Sequence, residues 1–437
     1  MKPYTVALYT LGCKVSQYET EAIREVFLAR GATVVPFPSP ADIYVINTCT
    51  VTAESDHKCR KAIRRAHAAN ENAVIMVTGC YSQVAPDDCM ALDGVAYVGG
   101  NGGKMKIPDA ALSLLRARET QSVAPVCAVT DIDKEPFEPM QIDEAPRTRA
   151  YIKIEDGCEC RCTYCAIPAA RGRVRSRAPD DILREVERLV KGGTREVVLT
   201  GIETASYGAD LENTRLADLL TLLEQKSHVE RIRLGSLTPE LFRADFVSRI
   251  ASLRKLVPHF HISMQSGSDH VLNLMRRRYS RKMAEDGIRR LYDSVPRLML
   301  TGDMIVGFPG ESEEDFKETL DFVKNARFLS LHVFPYSKRK GTPAATFPQQ
   351  LPEAVKRERA ARLRELAAMI GRERLLETVA SGDVLPVLFE TYENGVAVGH
   401  SDSFIEVAVP SPRDLHGEIF PVIPRGIEGT RLLGEIQ

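Results

Sequence analysis

The sequence lacks the features of a membrane or secreted protein. It contains no run of eighteen apolar residues, which is about the length that a helix needs to cross a bilayer. Its N-terminus also lacks the order of charged, apolar and small residues that marks a secretory signal. We therefore predict a cytoplasmic protein with no membrane partner.

A strong net charge is also missing. The formal charge is −1 at pH 7, so bulk electrostatics argue neither for nor against a nucleic-acid partner. Hydrophobic residues make up 44% and charged residues 27% of the 437 residues, which excludes the composition of a disordered chain. This length predicts about two to three folded domains.

The chain does contain ten cysteines. In a reducing compartment they are not expected to form disulfides. Those that are not simply buried as small hydrophobic residues are candidates for metal ligation or catalysis. Their positions along the chain decide between these roles.

We place the first domain at residues 1–121, where short apolar runs alternate with helix-like stretches, as in βα units on a parallel sheet. Three predicted strands are each followed by a cysteine: Thr5–Thr10 by Cys13, Ile43–Asn47 by Cys49, and Val74–Thr78 by Cys80. Because the carboxyl ends of parallel strands lie along one edge of the sheet, the three thiols are predicted to converge there.

Residues 122–148 are acidic, contain several prolines and show no periodicity, so we predict an interdomain linker. A second series of βα units follows at residues 149–375. Its predicted strands are Tyr151–Ile154, Glu196–Thr200, Arg231–Leu234, His259–Ser263, Leu298–Ile305 and Leu331–Phe334, and its predicted helices include Asp180–Lys191, Ser312–Asn325 and Glu353–Arg374. Six units predict a partial barrel whose active site lies at the carboxyl ends of the strands.

The last segment, residues 376–437, changes to short β-prone runs separated by Gly, Asn, Asp and Pro, which favours a small antiparallel barrel. It holds ten acidic residues against three arginines, a balance that does not favour phosphate binding. The predicted fold class is thus α/β, with an N-terminal parallel-sheet cluster domain, a partial (βα)6 barrel and a small all-β barrel.

The most informative motif is Cys158-Glu-Cys-Arg-Cys162-Thr-Tyr-Cys165, directly after the first strand of the second domain. Three cysteines at this spacing can ligate three irons of a 4Fe-4S cluster and leave the fourth iron open to a ligand. A zinc knuckle or a closed ferredoxin-like site is the alternative, and Cys160 is the only local fourth ligand for it. If the loop is extended, Cys160 points away from Cys158.

Polar and glycine residues follow the other strands of the second domain, where a cofactor would lie. Gly201 can admit a ligand to the backbone and Glu203 can accept from an ammonium group, although an ordinary strand-to-loop turn also explains them. Ser236 and Glu240 can reach ribose hydroxyls, or their segment can cap the next helix. The remaining candidate cofactor-binding residues are Gln265, Gly307 and Glu311.

Several motifs resemble those of the methylthiotransferase family of radical S-adenosylmethionine enzymes. They are Thr10-Leu-Gly-Cys-Lys-Val15, Asn47-Thr-Cys-Thr-Val51, Thr78-Gly-Cys-Tyr81, the Cys158 loop, Ile305-Val-Gly-Phe-Pro-Gly-Glu311 and Tyr336-Ser-Lys-Arg-Lys-Gly-Thr-Pro-Ala344. The first and last resemble most closely the branch that acts on threonylcarbamoyladenosine beside the tRNA anticodon. The family's order of domains also ends in a TRAM domain, which is the expectation for residues 376–437.

The resemblance implies two 4Fe-4S clusters. Cys13, Cys49 and Cys80 would ligate an auxiliary cluster, and Cys158, Cys162 and Cys165 would ligate the cluster that binds and cleaves S-adenosylmethionine. Protein residues would mainly position groups and exclude water. Cys59, Cys89 and Cys127 are expected to pack or to have no role.

The implied partners are tRNA at its anticodon stem-loop, an electron donor and a sulfur source. Four basic runs would contact phosphates if they share a face: Lys58–Arg65, Arg171–Arg177, Arg276–Arg278 and Lys338–Lys340. The alternatives are a methylthiotransferase for isopentenyladenosine in tRNA, one for a ribosomal protein, and a nonenzymatic iron–sulfur protein that binds RNA.

Overall fold

The computed structural model describes residues 3–118, 124–145 and 147–437. Its N-terminal domain contains the strands β1 (Thr5–Thr10), β2 (Thr33–Val34), β3 (Ile43–Thr48), β4 (Val74–Gly79), β5 (Val95–Gly99) and β6 (Val126–Ala128). Its helices are α1 (Lys14–Ala29), α2 (Ala53–Ala69), α3 (Cys80–Val84), α4 (Pro86–Met90) and α5 (Ile107–Arg118).

The six strands form one parallel sheet in the order β2-β1-β3-β4-β5-β6. β3 and β4 are buried along their whole length, which explains why they are apolar without alternation. One hydrophobic core packs on each face of the sheet. The carboxyl ends of β1, β3 and β4 therefore lie side by side, as predicted.

One part of the predicted linker belongs to this sheet, because β6 pairs with β5 through Tyr97, Val98 and Gly99. β6 has only three residues and is largely exposed at the sheet edge, so its sequence shows no burial pattern to recognise. The domain boundaries otherwise stay a prediction.

The second domain contains the strands β7 (Arg149–Lys153), β8 (Glu155–Asp156), β9 (Arg175–Ser176), β10 (Glu196–Thr200), β11 (Arg231–Leu234), β12 (Ser236–Leu237), β13 (His259–Gln265), β14 (Met299–Val306) and β15 (Ser330–Pro335). Its helices are α6 (Ile167–Arg171), α7 (Pro179–Lys191), α8 (Leu216–Lys226), α9 (Ala244–Ile250), α10 (Asp269–Leu274), α11 (Arg281–Ser294), α12 (Glu313–Ala326) and α13 (Glu353–Ser381).

Its parallel strands confirm the partial barrel. They form two hydrogen-bonded groups, β11-β10-β7 and β12-β13-β14-β15, and only Gly235 separates β11 from β12. In the described part of the chain no pairing joins β7 to β15, so the barrel is open on that side. α13 runs past the predicted domain boundary at residue 375 and ends at Gly382, whose left-handed conformation stops the helix.

The C-terminal domain is a closed five-stranded barrel in the order β16-β17-β18-β20-β19. Its strands are β16 (Leu385–Glu393), β17 (Val396–Ser401), β18 (Glu406–Pro410), β19 (Ile419–Glu428) and β20 (Arg431–Ile436). Between β17 and β18, the ring of Phe404 stacks on His259 at 4.6 Å, at the start of β13. The small barrel thus covers the amino ends of the strands, opposite the cofactor end.

No helix in the described ranges is long and apolar enough to cross a membrane.

Candidate active site

The structure brings the auxiliary cysteines, Cys13, Cys49 and Cys80, together at the sheet edge. Cys13 directly precedes α1, Cys49 follows β3, and Cys80 begins α3. Burial, together with the neighbouring charges of Cys80 and Cys13, raises the pKa of the Cys49 thiol to about 11. These three thiols lie close together, and they would release their protons on binding iron because the ligands of a cluster are thiolates.

Two glycines make this approach possible. A side chain at Gly79 would place its Cβ 2.5 Å from the carbonyl oxygen of Thr48, and the backbone there has a φ of +106°. At Gly12 the backbone has a φ of +135°, and a Cβ there would lie 3.0 Å from Ser16 Oγ and 3.5 Å from the Cβ of Cys49. The two glycines allow neighbouring chain segments to pack closely, and this brings the adjacent cysteines near one another.

Arg171, at the end of α6, connects this set to the second domain. Its Nε donates to Cys80 Sγ at 3.3 Å, and its Nη1 donates to Glu19 at 2.5 Å and to Asp156 at 3.2 Å. The side chain is fully buried. Glu19 also pairs with Lys153 at 2.9 Å and with Lys104, and burial of all these charges is tolerated because each one is paired.

The core cysteines, Cys158, Cys162 and Cys165, lie in a loop between β8 and α6. The thiols of Cys162 and Cys165 are close enough for the charge of one to act on the other. Burial raises the pKa of both, that of Cys165 to about 12. The Ile167 amide donates to Cys165 Sγ at 3.4 Å, and Arg277 Nη1 donates to Cys162 Sγ at 3.1 Å. Such donors stabilise thiolate charge, so this donor set fits an iron–sulfur cluster.

The loop is fixed at both ends. At its start, a Cβ on Gly157 would lie 1.9 Å from the carbonyl oxygen of Arg173, so only glycine fits. Further along, Thr163 donates its amide to Met275 at 3.1 Å and its hydroxyl to Leu274 at 2.8 Å. The three thiols are thus held in place before any iron binds.

The expected direction of Cys160 is wrong. Its thiol contacts that of Cys158, so the two side chains point to the same side of the loop. The contact with Cys158, together with the charges of Arg277 and Arg278, lowers the pKa of Cys160 to about 7. Cys160 is half-buried beside the core cysteines.

The predicted S-adenosylmethionine residues after β10 and β12 gather near this loop. Burial raises the pKa of Glu203 to about 8, with further contributions from Cys160 and Glu240. Thr238 donates to Glu203 at 3.4 Å. One Glu240 oxygen is buried with no hydrogen-bond partner within the described residues. Two half-buried carboxyl groups with free capacity suit a cationic ligand such as an ammonium group.

Three predicted glycine and acidic residues have structural partners of their own. A Cβ at Gly201 would lie 2.6 Å from Glu155 Oε1, and one at Gly307 would lie 2.5 Å from Lys356 Cγ. Glu311 accepts from the Gly307 amide at 2.9 Å and from Arg359 at 2.5 Å. These contacts explain the residue types, and a role for them in cofactor binding stays a prediction.

Ser236 and Gln265 have side chains that are partly exposed and could contact a cofactor. Ser236 pairs with His261 in the sheet, and Gln265 ends β13 at a bulge with a φ of +69°. They lie at the carboxyl end of the strands, at the same edge as Glu203.

The prediction of phosphate contacts is wrong for several buried arginines. Within 171–177, Arg171, Arg175 and Arg177 are buried, and only Arg173 is exposed. Arg177 pairs with Glu185. A buried guanidinium needs an internal carboxylate or thiolate partner, so these side chains cannot reach an RNA backbone.

The basic runs at 276–278 and 338–340 also contain both inward-facing and exposed side chains. Arg277 donates to Cys162, and Arg339 donates to Thr50 at 2.5 Å and pairs with Asp56 at 2.7 Å, beside Cys49. The residues that stay exposed are Arg276, Arg278, Lys338 and Lys340, together with Lys58, Lys61, Arg64 and Arg65 on α2. Sequence reasoning missed the inward roles because arginine in a basic run resembles a phosphate contact.

A polar set inside the barrel was also missed. His261 Nε2 and His332 Nδ1 each lie 3.0 Å from an oxygen of Asp303. Burial alone would raise the pKa of Asp303, but the hydrogen bonds from these two histidines lower it below its usual range. The three ligand atoms lie within 4.8 Å of one another, as in a metal site, although here the imidazoles already contact the carboxylate.

Comparison with known proteins agrees with this geometry. Residues 152–323 match the Radical SAM superfamily, and residues 5–100 match Uncharacterized protein family UPF0004. The radical S-adenosylmethionine methyltransferase TsrM of Kitasatospora setae has the same fold over 79% of this chain and 77% of its own, with a TM-score of 0.58 and 15% identity.

Curated relatives cover nearly the whole chain. Threonylcarbamoyladenosine tRNA methylthiotransferase MtaB of Bacillus subtilis is 41% identical, over 96% of this chain and 93% of its own. The corresponding protein of Thermotoga maritima is 37% identical, over 92% and 90%. The tRNA-2-methylthio-N(6)-dimethylallyladenosine synthase of Pelotomaculum thermopropionicum is 33% identical, over 99% and 97%.

The chain belongs to the methylthiotransferase family of radical S-adenosylmethionine enzymes. Membership implies a 4Fe-4S cluster and S-adenosylmethionine as cofactors.

The structure predicts different outcomes for two neighbouring arginines. Arg171→Met should lower the free energy of unfolding by about 3 kcal/mol, because it removes one partner from a buried ion network. Arg173→Met, the matched control on the exposed side of the same segment, should leave denaturant unfolding nearly unchanged. Equal effects of the two substitutions would contradict the assigned role of Arg171.

Proposed function

We propose that this enzyme converts threonylcarbamoyladenosine beside the tRNA anticodon to its 2-methylthio derivative. The observation that carries the proposal is the contact between the two cysteine sets, since Arg171, which closely follows the core cysteines in the chain, donates to Cys80 of the auxiliary set. Adding sulfur to an unactivated carbon needs a sulfur-bearing site and a radical source at the same substrate atom.

Two 4Fe-4S clusters are the cofactors that these residues would hold. Cys13, Cys49 and Cys80 would bind the auxiliary cluster, with Arg171 and Asn101 donating to Cys80 at 3.3 and 3.5 Å. The core cysteines would bind the other cluster, which supplies the electron that cleaves S-adenosylmethionine.

The protein side chains around the core loop have positioning roles. Glu203 and Glu240 would accept the ammonium group of the methionine moiety, and Ser236 and Gln265 would bind its sugar or base. Gly201, Gly307 and Glu311 would shape the loops over it. Arg277 would keep charge balanced at Cys162 and exclude water from that side.

The relatives favour the threonylcarbamoyladenosine branch. Those named for this substrate are 36–41% identical to the chain, whereas those named for dimethylallyladenosine are 33–35% identical. The exposed basic face of α2 would contact the anticodon stem-loop. An electron donor and a sulfur source are the further partners, and a cytoplasmic location is consistent with a tRNA substrate.

Cysteine variants test the two-cluster assignment. After anaerobic reconstitution the protein should bind about eight irons, and Cys13→Ala should lose about half of them while still producing 5′-deoxyadenosine from S-adenosylmethionine. Cys162→Ala should lose the other half and all cleavage. Cys89→Ser, a substitution of a buried cysteine on α4, is the control and should keep both clusters. One zinc and no iron in anaerobically purified protein would contradict the assignment.

Nucleoside analysis tests the substrate. In a strain that lacks this enzyme, mass spectrometry should show that 2-methylthio-threonylcarbamoyladenosine has disappeared from tRNA while its unthiolated precursor accumulates. Complementation with the wild-type protein should restore the product, and Cys162→Ala should not. Persistence of that nucleoside, with loss of the methylthio derivative of isopentenyladenosine or of a ribosomal protein, would identify the other substrate and overturn the proposal.

A further inference from the structure

Three positively charged side chains come close together near the auxiliary cysteine Cys13. Lys14 is the first residue of α1 and directly follows Cys13. Among the charges that act on its ammonium group, those of Arg233 and Arg149 are the strongest, followed by Asp303. Lys14, Arg149 and Arg233 form what we call the cationic pocket.

Some hydrogen-bond donors of the cationic pocket have no acceptor among the described residues. Arg149 Nη1 and Arg233 Nη1 are buried and have no hydrogen-bond partner in the ranges that the structure describes. The Arg233 side chain is only 3% exposed. The half-buried Lys14 ammonium likewise has no ion pair or hydrogen bond with any described residue. Leaving such donors unsatisfied is costly, so the site favours an anion.

The nearby carboxylates already have partners of their own. Glu196 accepts from Arg233 Nε at 2.6 Å, Glu390 accepts from Arg149 Nη2 at 3.1 Å, and Asp303 contacts the two histidines. Phe404 closes the floor, with its ring centre 5.3 Å from the Arg149 guanidinium and 4.9 Å from that of Arg233. These three carboxylates are therefore already engaged, and none of them forms an ion pair with Lys14.

We propose that the cationic pocket binds the carboxylate of the threonylcarbamoyl group and thereby selects this substrate over adenosines with an apolar N6 substituent. The inference rests on the proposed function. Lys14 lies next to Cys13, which is exposed, so a base whose side group reaches Lys14 would present its ring to the auxiliary cysteines. An apolar N6 group would leave the pocket's charges without a partner.

The test compares two synthetic anticodon stem-loops, one with threonylcarbamoyladenosine and one with its neutral methyl ester. With the reconstituted wild-type enzyme, the ester should raise the Kd and lower kcat/KM by roughly 30-fold or more, because a buried charge loses its partner. In Lys14→Met the ratio between acid and ester should shrink towards one, and Lys14→Arg should restore most of it.

Lys282→Met, which removes an 81% exposed lysine on α11, is the matched control and should keep the full ratio. The Kd for S-adenosylmethionine and the iron content should be the same in all variants, which separates the substrate carboxylate from that of S-adenosylmethionine. A stem-loop with unmodified adenosine should bind Lys14→Met as well as it binds the wild type, whereas a loss there would mean that the pocket binds a phosphate.

Two results would overturn the inference: equal constants for acid and ester with the wild-type enzyme, or an unchanged ratio in Lys14→Met. The comparison of acid and ester with the wild-type enzyme tests the inference even if Lys14→Met fails to hold its clusters. Failure of the wild-type enzyme to methylthiolate the acid stem-loop would instead contradict the proposed function.

Discussion

The buried ion network around Arg171 is the constraint on which the active site depends. This one side chain contacts Cys80 and Glu19 of the N-terminal domain and Asp156 of the barrel domain. Its burial is possible only while both domains supply their carboxylates, so the two domains must meet in one arrangement. Since Asp156 precedes the core cysteines and Arg171 follows them, that arrangement also sets their position relative to Cys80.

Much of this could be predicted from the sequence. The strands before Cys13, Cys49 and Cys80 were recognised because fully buried parallel strands are continuous apolar runs, and the rule for strand ends then brought the thiols together. Arg171 and Arg339 could not be assigned in this way. Both stand in basic runs, and only the fold reveals that a carboxylate or a thiol from another domain faces them.

The direction of Cys160 and the reasons for several glycines also depend on backbone geometry that no residue pattern encodes. Alternation along an extended loop predicts that Cys160 points away from Cys158, but in the structure the two thiols contact each other. Gly201 and Gly307 suggested space for a ligand, and in the structure Glu155 and Lys356 occupy that space. A glycine in a motif therefore identifies a close approach, without identifying what approaches.

The central claim is that the auxiliary and core cysteines hold two clusters in one cavity. Electron paramagnetic resonance of the reduced, reconstituted protein tests it most directly, because neighbouring paramagnetic clusters speed each other's spin relaxation. The account predicts faster relaxation of the core cluster in the wild-type protein than in Cys13→Ala, which keeps the core cluster alone. Identical relaxation in the two proteins, with both clusters present and reduced in the wild type, would contradict it.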